Sequence, residues 1–116
     1  MRFGLFLILA LLPRTAVADE LHLPQDRIEA GRSLFLEKCS KCHGQDASGG
    51  NAPDIQGILP KDVKEAARGV EAMPEIALED VEAGHIAIFL MSLAPDQARL
   101  RLSIRRSRES SVTMEQ

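Results

Sequence analysis

Cys39-Ser40-Lys41-Cys42-His43 constrains this 116-residue chain more than any other stretch. Two thiols three positions apart, followed directly by an imidazole, is the spacing of c-type haem attachment. The thiols can reach the two vinyl groups of one haem, and the imidazole is then placed under the iron. Three other chemistries also use a Cys-x-x-Cys pair. A thioredoxin-like redox site belongs in a βαβ frame, yet no period-2 pattern appears before residue 96. A structural zinc site takes four ligands, which His22 and His85 would have to complete at irregular spacing. A disulfide suits an exported chain but leaves His43 without a role.

The N-terminus reads as an export signal. Met1-Arg2 is a short positive start, Leu5 to Leu12 is an apolar run of eight, and Ala16-Val17-Ala18 puts small residues where a signal peptidase cuts. Cleavage after Ala18 and a periplasmic location are expected. A spanning helix needs about 20 apolar residues, and Pro13 and Arg14 end this run first, so no stable membrane insertion is expected after cleavage. The mature chain then holds two aromatics, Phe35 and Phe89, and no Trp or Tyr. A domain this small rarely fills a core from its own side chains. A buried haem would complete it.

Three helices are legible along residues 19–95, the expected domain. Asp26 followed by Glu29 predicts a capped start for a helix ending near Lys38, with Ile28, Gly31, Leu34 and Phe35 on one face. Gly44 to Gly57 is a loop rich in Gly and Pro. Pro60 suits the first turn of a short helix that Gly69 closes. A last helix is expected from about Leu78 to Leu93, buried through Ile86, Phe89, Leu90 and Leu93 and ended by Pro95. The body is therefore expected to be all-α. Residues 96–116 read differently. Leu100, Leu102 and Ile104 alternate with Arg99, Arg101 and Ser103, a strand-like period, and more arginines follow. The expectation is a solvated terminus or a docking segment.

Met73 is the candidate sixth ligand. It lies 30 residues after His43 in the loop from Val70 to Ile76, and Pro74 follows it. A Met most often fills a core gap, but a loop Met beside a proline is well placed to face a metal. A Met/His pair raises the iron's potential and fills both axial positions. His85 and Met91 in the last helix and His22 near the mature N-terminus are the competitors.

Taken together, Asp26 to Leu93 resembles the small class I cytochromes c, an all-α fold of three to four helices around one covalently bound haem. Gly31 and Phe35 stand where the family's first helix carries a Gly and an aromatic, and Ile86 and Phe89 match the aliphatic-aromatic pair of its last helix. The resemblance implies that these helices cross at Gly31. Ala52-Pro53-Asp54-Ile55-Gln56-Gly57 resembles the family's Gly-Pro-x-Leu-x-Gly loop, which implies that the Pro53 carbonyl accepts a hydrogen bond from His43 Nδ1. Met73-Pro74 resembles the axial Met loop. Phe89 in place of the commoner Tyr and Ala52 in place of Gly are departures.

The function implied is transfer of single electrons between redox partners, with no catalytic residue of the chain's own. Residues 19–95 carry seven Lys/Arg against fourteen Asp/Glu, a net of −7, while residues 96–116 carry five Arg against three acids, a net of +2. The acidic body predicts a basic partner surface and association that weakens with salt. It excludes nucleic acid, for which both the charge and the aromatic content are wrong. The alternative is a dedicated haem subunit of a larger periplasmic dehydrogenase, docked through the tail.

Overall fold

The computed structural model describes residues 21–114. Five helices follow in order: α1 (Gln25–Lys38), α2 (Ser40–His43), α3 (Pro60–Ala67), α4 (Asp80–Leu93) and α5 (Pro95–Met114). No strand forms among the described residues beyond an isolated bridge between Val70 and Met73. The fold is all-α and cytochrome c-like. The expected export signal, with its cleavage after Ala18, lies outside the described residues.

The α1–α4 crossing organises the fold. Gly31 makes it possible: a β-carbon there would lie 1.9 Å from the His85 carbonyl oxygen and 3.0 Å from Phe89 Cβ. With hydrogen in that place, the helix backbones touch, and Phe35 meets Phe89 with ring centroids 5.3 Å apart and planes inclined at 48°. Such an aromatic pair contributes about 0.5–1.5 kcal/mol beyond the area it buries. Phe35, Ala83, Ile86, Ala87, Phe89 and Leu90 form the main core, and Val63 of α3 and Ala47 of the first loop close it. A second apolar cluster lies on the other side of α4, where Leu59, Met91 and Ala98 are buried and Leu21, Leu23, Ile88 and Leu102 pack around them.

Helix starts depart from expectation in two places. Asp26 does not cap α1. The cap is Pro24, two residues earlier; its carbonyl receives the Arg27 and Ile28 N–H groups, and Glu29 takes a hydrogen bond from Gln25 instead. Pro24 is extended and has no N–H of its own to satisfy, and its carbonyl receives the first bonded amides in the absence of a side-chain cap. The last body helix begins at Asp80 rather than Leu78. The Glu82 carboxylate reaches back 2.9 Å to the Glu79 N–H, satisfying one of the first-turn donors.

Residues 95–114 are helical, not strand-like or irregular as the alternation suggested. Pro95 both stops α4 and opens α5, since its fixed φ and missing N–H suit a first helical turn. Ala98, Leu102 and Arg105, at helical spacing, face the body, whereas Leu100 and Ile104 are 54% and 44% exposed. The alternating leucines thus point to opposite sides of a helix. Beyond Arg105 the Ser107, Ser110, Ser111 and Thr113 hydroxyls bond back to carbonyls four residues earlier, and their residues are exposed.

Candidate haem-attachment site

The attachment segment sits at the joint between α1 and α2. Cys39 ends α1, its N–H bonded 2.8 Å to the Phe35 carbonyl. Its own carbonyl receives the amides of Cys42 (3.3 Å) and His43 (3.1 Å). One helical turn therefore sets Cys42 and His43 three and four positions after Cys39, on the same side. Both thiols are free. Cys42 is exposed, whereas Cys39 is half-buried, and its thiol is pushed above the ordinary cysteine value by burial, which Lys38 only partly offsets.

His43 is buried, and its environment fixes its tautomer. The chain turns back at Gly44 (φ 79°), where a β-carbon would meet the Gly49 carbonyl at 2.6 Å, so only glycine fits. The loop then folds over the attachment segment through Gly49 N–H to the His43 carbonyl (3.0 Å) and Ala52 N–H to the Cys42 carbonyl (3.2 Å). Gly57 N–H ties its far end to the Leu90 carbonyl of α4 at 2.8 Å. This return brings the Pro53 carbonyl 2.9 Å from His43 Nδ1. A carbonyl only accepts, so Nδ1 carries the proton and Nε2 keeps its lone pair. Nε2 has no hydrogen-bond partner among the described residues and is not sealed from solvent. Nearby, the Ser48 hydroxyl and N–H hold the Asp46 carboxyl below its ordinary value.

Met73 lies in a separate loop. Gly69 (φ 93°) leaves α3, Val70 and Met73 exchange two backbone hydrogen bonds of 3.2 and 2.8 Å across Glu71 and Ala72, and Ile76 N–H returns to the Ala67 carbonyl at 2.8 Å. The Met73 side chain is half-buried. The competitors are placed elsewhere. Met91 is buried with Leu59 and Ala98, His85 presents its carbonyl to Gly31, and His22 is exposed. Among the described residues no three His, Cys, Asp or Glu gather, so the zinc set built from Cys39, Cys42, His22 and His85 does not form.

Two free thiols and an Nε2 lone pair on one turn are the donor set that covalent haem requires, and the residues fit that group. An all-α fold with this segment at its first helix joint defines a c-type cytochrome. Comparison with known proteins agrees. Residues 26–90 match the family described as cytochrome c oxidase, cbb3-type, subunit III, more than half of the chain, and the chain belongs to this cytochrome c family. Membership implies covalently bound haem c. Among solved structures the chain is similar to cytochrome CL from the marine methylotrophic bacterium Methylophaga aminisulfidivorans, with 29% identity, a TM-score of 0.53, and coverage of 65% of this chain and 60% of that one. The chain thus spans about 60% of that cytochrome's length. No curated protein sequence matches it.

Sequence reasoning missed Ala47, which is fully buried with φ 61°, and the link between Asp62 and Arg105. Alanine carries no signal for a left-handed backbone, and an ion pair 43 residues apart leaves none in a single sequence.

Proposed function

We propose that this chain is a periplasmic electron carrier holding one haem through Cys39 and Cys42, with His43 and Met73 as axial ligands. The observation that carries the reading is the 2.9 Å hydrogen bond from His43 Nδ1 to the Pro53 carbonyl. It turns the imidazole to one orientation, keeps Nε2 free for a metal and raises its basicity. When bound, haem iron supplies one-electron chemistry between its ferric and ferrous states. The chain's residues do the rest. Cys39 and Cys42 would hold the haem covalently, His43 would supply a nitrogen ligand, and Met73 would supply a soft sulfur ligand that favours the ferrous state. The acidic body recruits a basic partner for the brief, small-interface encounter typical of redox pairs.

The test is an optical spectrum of the purified periplasmic protein, ferric and dithionite-reduced, followed by denaturation in pyridine and an intact mass. Sharp reduced α and β bands, one haem per chain, and haem that stays with the denatured polypeptide are expected. Haem that is released on denaturation overturns the assignment of Cys39 and Cys42. A mass that corresponds to a chain beginning at Met1 rather than Asp19 overturns export with cleavage after Ala18.

A second reading is favoured by α5. Its last turns extend past the body with exposed Val112 and Met114 (61% and 88%) and Arg108. A helix with no core to rest on is marginal in water, and a partner surface would stabilise it, as in a haem subunit of a larger dehydrogenase. Deleting residues 107–116, which leaves Arg105 in place, separates the readings. A dedicated subunit loses co-purification with its dehydrogenase while its haem spectrum is unchanged. A freely diffusing carrier elutes at the same monomeric size before and after deletion.

A further inference from the structure

The described ion pairs differ in exposure. In Lys38–Glu37, Lys61–Glu65, Lys64–Asp80 and Arg99–Asp96, at least one side chain is more than half exposed. Such pairs contribute little. Arg105–Asp62 differs, with side chains 32% and 38% exposed and the guanidinium Nη2 3.0 Å from Asp62 Oδ1. The other oxygen of the same carboxylate, Oδ2, accepts the Leu59 N–H at the start of α3. Asp62 therefore joins two elements at once: it caps α3 and receives the arm of α5. Beside it, Leu59, the residue before α3, shares a buried cluster with Met91 and Ala98, against which Leu102 packs.

The other end of α3 carries the Met73 loop. Ala66 and Ala67 carbonyls receive the Gly69 and Ile76 N–H groups at 2.9 and 2.8 Å, so both feet of the loop rest on the last turn of this eight-residue helix. Within the loop, the paired Val70 and Met73 leave Met73 little independent freedom. On its inner face α3 lies on α4 through Val63 and Ala67. That contact, joined by the exposed Lys64–Asp80 pair, runs along one strip of α3 and holds its distance from the core more firmly than its roll. A side-chain strut at the N-terminal turn, well off that contact line, opposes the roll. A short helix transmits such a rotation to its far end as a rigid body.

We propose that Arg105 is a positioning residue for the axial methionine: through Asp62 it fixes the roll of α3 and with it the place of the Met73 sulfur. The proposal rests on Met73 being the sixth ligand. The test uses the haem-loaded full chain with Arg105→Met, which keeps most of the side-chain bulk, and with Arg105→Lys and Asp62→Asn. The readouts are the near-infrared methionine–iron band of the ferric form, carbon monoxide binding to the ferrous form, and the reduction potential. Arg105→Met should weaken the band, lower the potential and raise carbon monoxide affinity by roughly tenfold, the scale on which such networks modulate a distant site. Asp62→Asn should act in the same direction, and Arg105→Lys should restore part of the band. A fall in thermal midpoint with band, potential and carbon monoxide affinity unchanged would make Arg105 a structural brace only and overturns the proposal. Wild-type protein without the band is a separate outcome: it overturns the Met73 assignment itself and the proposal with it.

Discussion

Gly31→Val should all but abolish haem-loaded protein, and Gly31→Ala should sharply lower its denaturation midpoint. The reason is local and severe. The α-helical backbones of α1 and α4 meet at Gly31, and any β-carbon would stand 1.9 Å from the His85 carbonyl oxygen. That oxygen belongs to helix backbone and cannot rotate away, so α1 must separate from α4. Separation breaks the Phe35–Phe89 pair and opens the main core. Overpacking typically costs about 1–3 kcal/mol, and a clash with backbone puts alanine at the top of that range and valine beyond it. Gly84→Ala in α4 is the matched control. Beyond its own helix backbone and chain neighbours, a β-carbon there meets nothing within 4 Å. Removing a glycine from a helix interior should then raise stability by up to about 1 kcal/mol. Chemical denaturation followed through the haem absorbance reads both. Equal midpoints for Gly31→Ala and the parent would mean that the crossing is not as close as described.

Met73→Ala should change the ligand chemistry without changing the fold. The residue is half-buried in a loop whose backbone is held by its own hydrogen bonds, so truncation leaves the helices in place. With Met73 as the proposed sixth ligand, loss of the thioether should open one axial position. The methionine–iron band should then disappear, the ferrous form should gain carbon monoxide binding, and the potential should fall because the ferrous state loses its soft ligand. Met91→Leu is the comparison. Met91 is buried with Leu59 and Ala98, and a volume-conserving swap there should cost under about 1.5 kcal/mol and leave the spectrum alone. If Met73→Ala keeps the band, the sixth ligand is another residue and Met91→Leu becomes the next substitution to examine.

What could be read without coordinates was whatever depended on neighbours in the chain. Cys39, Cys42 and His43 lie within one turn, so their spacing alone describes them. Gly31, Phe35, Ile86 and Phe89 follow helical periodicity, and the resemblance to class I cytochromes c paired them correctly. The His43–Pro53 hydrogen bond was implied by that resemblance alone and is present. The tail was misread because three apolar residues two apart fit a strand as well as a helix with leucines on opposite sides. Only contacts with Leu59 and Asp62 show which side of α5 faces inward. The start of α1 was misread because the preceding Pro24 carbonyl, not the Asp26 side chain, receives the first amides.

The α1–α4 crossing also determines where the chain can change length. Every proposed ligand, from Cys39 to Met73, lies in the span those two helices close. The entropy of closing such a span grows only with the logarithm of its length, so doubling a flexible stretch costs about 0.6 kcal/mol. Extra residues between Ile76 and Asp80, past the last backbone hydrogen bond of the Met73 loop, can bulge outward. One extra residue between Cys39 and Cys42 instead rotates everything after it by about 100° around the helix axis and turns the second thiol away. An engineered insertion is therefore expected to be tolerated between Ile76 and Asp80 and to prevent haem attachment within the five residues that begin at Cys39.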